Sequence, residues 1–165
     1  MGLLTVPLAC AVRAAQPADG DAMATLAAQL GYRCTGADVR QRLDDMKDPA
    51  QFGVFVAVLP EDKVVGWVGV YAFRTVELAP LAEISGLVVD ETLRSRGIGK
   101  ALLRAAENWA RRTDCTAISV NSNIVRDRAH RFYLNHGYEL VKTQKIFRRS
   151  LTDASILPDN RPPGT

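Results

Sequence analysis

Surplus charge is small in this sequence: 21 Lys and Arg stand against 18 Asp and Glu, a formal +3. Such a balance is too weak and too dispersed to form an electrostatic footprint for nucleic acid, so an anionic ligand must be caught locally. Cysteine is scarce as well. Cys10, Cys34 and Cys115 are odd in number, far apart and form no C-x-x-C pair, which argues against a disulfide framework and fits a reducing, cytoplasmic compartment. The two histidines, His130 and His136, are six residues apart, on different sides of a helix, and no metal site is expected. No later run reaches the ~18 apolar residues of a membrane span, and no membrane partner is expected. The apolar start, Met1 to Val12, has no basic residue ahead of it and reads as a lead-in to a first strand rather than a leader peptide.

What is present suits one globular domain. A chain of 165 residues buries roughly two thirds of the surface it exposes unfolded, so it needs no covalent staple. A first strand near Leu8 to Ala14 precedes a helix announced by Pro17 and Asp19, with Met23, Leu26, Ala27 and Leu30 at helical spacing and Gly31 at its end. A second amphipathic helix is expected from Gly36 to Met46. Phe52 to Leu59 and Val64 to Phe73 are β-branched and aromatic runs around Pro60, Glu61 and Asp62, the signature of a hairpin. Further expectations are a strand Leu81 to Val89, a helix Ile98 to Arg112, a strand Ala117 to Val120, and a helix Arg126 to His136 stopped at Gly137. Two last strands are expected over Tyr138 to Val141 and Lys145 to Arg149. This order gives an α/β (α+β) domain over residues 1–151, a mixed sheet of about six or seven strands flanked by about four helices. Residues 152–165, with Pro158, Pro162, Pro163 and Gly164, have the composition of a disordered tail.

The segment Arg94-Ser95-Arg96-Gly97-Ile98-Gly99-Lys100-Ala101 lies between a strand and a helix carried by Ile98, Leu102, Ala105 and Trp109. The first N–H groups of a helix lack partners and face the positive end of its dipole, so a pyrophosphate can be held there by backbone donors. Gly97 and Gly99 allow close approach. A triphosphate loop would need Gly at Arg94 and Ser or Thr at Ala101, and a dinucleotide fingerprint would need Gly at Leu102 and an acidic residue at Asn121. Both fail. A basic, solvated turn remains the plain alternative.

The pattern Arg-x-x-Gly-x-Gly after a valine-rich strand resembles the acyl-coenzyme A loop of the GNAT superfamily of N-acetyltransferases. The likeness runs from Val12 to Leu151. It is carried further by Ala82-Glu83-Ile84 ahead of the loop, by Ser122, Asn123, Arg126, Ala129, His130, Phe132 and Tyr133 in a bacterial variant of the family pattern, and by Lys142-Thr143-Gln144 with Phe147 and Leu151. The departure is Arg126, which stands where many members have Asn.

The resemblance implies acetyl-CoA as donor, a primary amine as acceptor and direct attack in a ternary complex. It implies a bulge at Gly86 that splays two parallel strands and leaves Leu87, Val88 and Val89 to bond the pantetheine arm through their main chain. Arg94, Ser95, Arg96, Gly97, Ile98, Gly99, Lys100 and Ala101 would hold the phosphates, with Asn123, Arg126 and Phe132 as further coenzyme contacts. Glu83 would take the ammonium proton, since an ammonium has no lone pair, and Tyr133 would protonate the departing thiolate. Glu83 as a solvated or ion-paired strand residue, and Tyr133 as a buried phenol bound to a main-chain carbonyl, are the structural alternatives. Asp44, Asp45 and Asp48 would either attract a cationic amine or simply solvate a helix end. The acceptor is left open between a small molecule, a peptide amino terminus and a lysine. A homodimer is possible by family habit, and a non-catalytic acyl-CoA sensor is the rival from another class.

Overall fold

The computed structural model describes residues 9–151; the leader question at Met1 to Leu8 and the tail at 152–165 lie outside them. The chain divides into two compact units between Asn121 and Ser122. The first contains a five-stranded sheet in the order β1-β2-β3-β4-β5. Its strands are β1 (Ala11–Ala14), β2 (Phe52–Leu59), β3 (Lys63–Phe73), β4 (Leu81–Val89) and β5 (Ala117–Val120). The first four pair antiparallel in sequence order, and β5 joins β4 in parallel, so the sheet is mixed as expected.

Helices cover both faces of that sheet. Helices α1 (Gly20–Gln29) and α2 (Gly36–Asp45) lie on one face, where Met23, Ala24 and Val39 pack with Val56 and Val58 of β2. Helix α2 begins where Thr35 and Asp38 form a reciprocal capping box, which satisfies two otherwise orphan donors. On the opposite face lies α3 (Ile98–Arg112), with Leu102 and Leu103 fully buried. Burying each such side chain contributes roughly 2 kcal/mol. Gly53 and Gly66 are what lets α3 sit close: an added Cβ would stand 2.9 Å from Trp109 Cγ at the first and 3.1 Å from Leu102 Cδ1 at the second. Trp109 is fixed further by donating its indole N–H to Pro49 O at 3.0 Å.

An ion cluster ties the far edge of the sheet to the start of α1. Arg13 on β1 donates to both oxygens of Asp19, at 2.8 and 2.9 Å, and also to Asp62 in the β2–β3 turn. Asp19 is only 5% exposed. The Arg13 guanidinium, aided by the Gln16 N–H, holds its carboxyl below the usual range against the opposing effect of burial.

The second unit contains α4 (Asp127–Asn135) and an irregular segment after it. Helix α4 stops at Gly137, whose φ of +87° is the left-handed conformation glycine tolerates best. Tyr138 N–H then reaches back to Tyr133 O at 3.1 Å and Gly137 N–H to Leu134 O at 3.2 Å, the two bonds of a Schellman ending.

The two final strands expected over Tyr138 to Val141 and Lys145 to Arg149 are absent, leaving five strands among the described residues rather than six or seven. A strand exists only within a ladder, and the ladders among the described residues join β1 through β5 alone, so this apolar run stays irregular. Leu140, Val141, Ile146 and Phe147 are accordingly exposed. No helix among the described residues is long and apolar enough to cross a membrane.

Candidate active site

The site is organised by β4. It pairs with β3 along its length but with β5 only from Leu81↔Ala117 to Ile84↔Val120. Its register against β3 shifts after Ile84: Ile84 faces Val70 while Gly86 faces Gly69, so Ser85 is an extra residue. That is the expected bulge. From Ser85 to Val89 the edge on the β5 side has no strand partner among the described residues, and Leu87, Val88 and Val89 lie on that stretch. A second cause for glycine appears at position 86, because an added Cβ would stand 2.9 Å from Cη2 of Trp67. Trp67 is held over the bulge by its indole N–H, which donates to Met23 O of α1 at 3.2 Å.

Glu83 occupies the doubly paired half of β4, half-buried. Tyr71, directly opposite on β3, donates its hydroxyl to Glu83 Oε1 at 2.7 Å. Burial, and then the bond to and charge of Glu83, push the Tyr71 phenol up to about 12. It therefore stays protonated, and a donor, through the neutral range. Of the two alternatives to catalysis, no ion pair forms at Glu83 among the described residues, and half-burial leaves the carboxylate open to solvent beside its bond from a neutral phenol. From Glu83 to Val89 is six strand steps, about 20 Å, comparable with an extended pantetheine arm.

The loop after β4 is built by local bonds. Asp90 Oδ1 accepts from Thr92 N–H at 2.9 Å and from Thr92 Oγ1–H at 2.6 Å, which fixes the turn out of the strand. The chain then takes left-handed conformations at Ser95, with φ +63°, and Gly97, with φ +84°. Such a conformation is costly for serine, and strain of this kind concentrates at functional turns. A Cβ at Gly97 would meet nothing within 4 Å, so this glycine serves conformation rather than crowding. Ile98 anchors the first turn of α3 in the core. The first helical bond runs from Ala101 N–H to Gly97 O, so the N–H groups of Ile98, Gly99 and Lys100 precede the ladder. Ser95, Arg96 and Lys100 are exposed, while half-buried Arg94 directs Nε–H toward Val89 O at 3.5 Å.

The second unit gathers the other expected residues. Asn123 Oδ1 accepts from Val125 N–H at 3.2 Å, and Asn123 O receives Arg126 N–H at 3.0 Å and lies 3.0 Å from His130 Nε2. Since a carbonyl only accepts, Nε2 is the protonated nitrogen of His130 in that contact. Asn123 and His130 thus shape the entry to α4, to which Arg126 contributes its main-chain N–H. Phe132 packs edge-on against Tyr133 at 5.2 Å and against His136 at 4.5 Å between centroids. The Tyr133 ring also meets Tyr138 at 5.5 Å. Burial pushes the Tyr133 phenol up to about 12, opposed by the charge of Arg126. The carbonyl bond that would make Tyr133 a purely structural phenol is not seen among the described residues.

Within the first unit, then, Glu83, the Leu87–Val89 edge and the 94–101 loop follow one another along a continuous strand, turn and helix start. Tyr71, Trp67 and the bracing role of His130 were not legible beforehand. Tyr71 and Glu83 are twelve residues apart, joined through a seven-residue connection over 74–80, which leaves their register unspecified by any turn signal.

Comparison with known proteins follows the same outline. A sequence model of the acetyltransferase (GNAT) family matches residues 22–138, and the chain belongs to that family. The resemblance read from the glycine loop is borne out, and the protein is an acetyltransferase of a family whose donor is acetyl-CoA. An aminoglycoside N(6')-acetyltransferase type 1 of Stenotrophomonas maltophilia is 29% identical over 145 residues, covering 85% of this chain and 93% of that one. An aminoalkylphosphonate N-acetyltransferase of Salmonella typhimurium is 37% identical over 82 residues, 49% of this chain and 53% of its own length. Among solved structures, AAC(6')-Iy in complex with the bisubstrate analogue CoA-S-monomethyl-acetylneamine superposes with a TM-score of 0.74 at 14% identity, covering 86% of this chain and 98% of that one. At that identity the likeness concerns the fold.

Proposed function

We propose that the protein transfers the acetyl group of acetyl-CoA to the primary amine of a small molecule by direct attack in a ternary complex. The observation that carries this reading is Glu83, held by the Tyr71 phenol of β3 and lying on β4, the strand whose Ser85–Val89 edge lacks a β5 partner among the described residues. In the proposed reaction Glu83 takes a proton from the acceptor ammonium, which gives nitrogen the lone pair it needs. The amine nitrogen bonds to the thioester carbonyl carbon while main-chain N–H groups near Leu87 and Val88 polarise the carbonyl oxygen. The carbon–sulfur bond then breaks, Tyr133 gives its proton to the thiolate, and the new amide nitrogen passes its remaining extra proton back to the Tyr133 phenolate, while Glu83 releases its proton to solvent. Phosphates are bound by the 94–101 loop with Arg94, Arg96 and Lys100, and Asn123, Arg126 and Phe132 complete the coenzyme contacts.

A small amine is favoured over a peptide because the aminoglycoside and aminoalkylphosphonate enzymes named above are both relatives by sequence. One globular domain through residue 151, a cytoplasmic location and a homodimer belong to the same proposal. The location is supported by three free thiols, the dimer by family habit alone.

The test is release of the coenzyme thiol across a panel of aminoglycosides, polyamines and aminoalkylphosphonates. Glu83→Gln is expected to lower kcat roughly hundredfold or more with acetyl-CoA affinity unchanged. Binding of acetyl-CoA without thiol release by any of these amines would replace this reading with the sensor.

A further inference from the structure

We propose that Tyr71 is a positioning residue for the transfer reaction: its phenol fixes Glu83 Oε1 and leaves Oε2 as the oxygen that receives the proton. The inference rests on the reading of Glu83 as the base and adds to it the group that orients that base.

Tyr71 and Glu83 are register partners on adjacent antiparallel strands, so their side chains leave the sheet on the same face. The 2.7 Å bond between them is short, as expected for a hydroxyl donating to a charged acceptor. Tyr71 itself is well anchored. It lies on a strand paired on both sides, facing Phe52 on β2 and Glu83 on β4, and its ring meets Phe73 at 6.0 Å between centroids. The next residue, Ala72, donates its N–H to Gln51 O at 2.8 Å. A phenol on such a support is a fixed donor, and a carboxylate bound through one oxygen loses most of its rotational freedom.

The chemical identity of the donor matters as much as its geometry. Glu83 has no ion pair among the described residues, and Oε2 accepts no hydrogen bond from another described residue. A Lys or Arg in the place of Tyr71 would orient the carboxylate equally well, but its cation would repel the incoming ammonium and compete for the same charge. A neutral phenol orients without neutralising. Its ionisation, pushed up to about 12, keeps it in the donor form through the neutral range.

The test is a double-mutant cycle on the full chain, with rates from single-turnover measurements and folding checked by thermal midpoint. Tyr71→Phe keeps the ring and removes only the hydroxyl. It is expected to lower the rate of acetyl transfer about tenfold in the wild-type background with the KM for acetyl-CoA unchanged, and to cost nothing further in Glu83→Gln, because the group it orients is gone. An equal loss in both backgrounds would show that Tyr71 acts through packing, and no loss in the wild-type background would show that it does not act at all; either overturns the inference while leaving Glu83 as base. Full activity of Glu83→Gln would overturn the base itself, and Tyr71's role with it.

Discussion

Leu81–Ile84 and Ser85–Val89 are halves of one strand, yet among the described residues the first is paired on both edges and the second on one. Two local causes produce the difference. The partner strand β5 has only four residues and ends at Val120, opposite Ile84. Immediately after that point Ser85 is inserted into the ladder with β3, and a bulge of this kind bends the strand and increases its twist. The paired half therefore holds a side chain, Glu83, in a fixed place. The half beyond the bulge instead offers main-chain N–H and C=O groups, a surface that a linear amide-bearing ligand can join as an added strand would. On the proposed reading, Glu83 supplies the chemistry in the paired half, and one extra residue and the length of a neighbour open the other half for binding.

This division has a kinetic signature: changes to reacting side chains should move kcat, and changes to the bulge should move the KM for acetyl-CoA. The largest effect in this set is expected at Tyr133. Tyr133→Phe removes the proposed proton donor to sulfur while keeping the ring contacts with Phe132 and Tyr138. A fall in kcat of roughly a hundredfold is expected, with acetyl-CoA affinity unchanged. Because burial pushes this phenol up to about 12, its loss of a proton should not limit the rate between pH 7 and 10. Unchanged turnover would remove Tyr133 from the mechanism.

A smaller effect, and of the other kind, is expected from Gly86→Val. Its new side chain would collide with the Trp67 ring, 2.9 Å from the first added carbon. Trp67 cannot yield freely, since its N–H is bonded to Met23 O. Overpacking of this kind costs roughly 2 kcal/mol. Shifting the bulge should raise the KM for acetyl-CoA several-fold while kcat at saturation falls little. A variant that lost kcat and kept its KM would break the division between the two halves.

Much of this arrangement was legible in the sequence because it is local. The bounds of α3 follow from Ile98, Leu102 and Trp109 at helical spacing, with Gly97 ahead of them, and the structure places the helix at Ile98–Arg112. The β2–β3 hairpin follows from two β-branched runs around Pro60, and β3 begins one residue earlier than expected. The bulge was legible through the family resemblance, which places it at Gly86, one residue from the inserted Ser85. Nonlocal facts were not legible. Tyr71 meets Glu83 only because β3 and β4 adopt one register, and Trp67 lies over Gly86 for the same reason. The failure over Tyr138 to Arg149 has the same origin: Leu140, Val141, Ile146 and Phe147 favour an extended chain, but propensity supplies no partner, and without one there is no strand.

The smallest expected effect serves as the control for the comparison along β4, because it changes stability at the far edge of the sheet and should leave both kinetic constants alone. Asp19 accepts from Arg13 and from the Gln16 N–H, and these donors hold its carboxyl below the ordinary value. A carboxyl of lowered pKa contributes stability that is present above its unfolded value, about 4, and is lost as pH falls through the folded one. Asp19→Asn keeps the shape but removes the charge, while Arg13 retains Asp62 as a partner. The variant should be less stable at pH 7 by about 1 kcal/mol, read from denaturant unfolding. The gap to the wild type should narrow as pH falls below about 4, where the native carboxyl also takes up its proton. A gap that stayed constant down to pH 2 would show that Asp19 contributes shape alone, and a changed kcat or KM would show that the far edge is coupled to β4 after all.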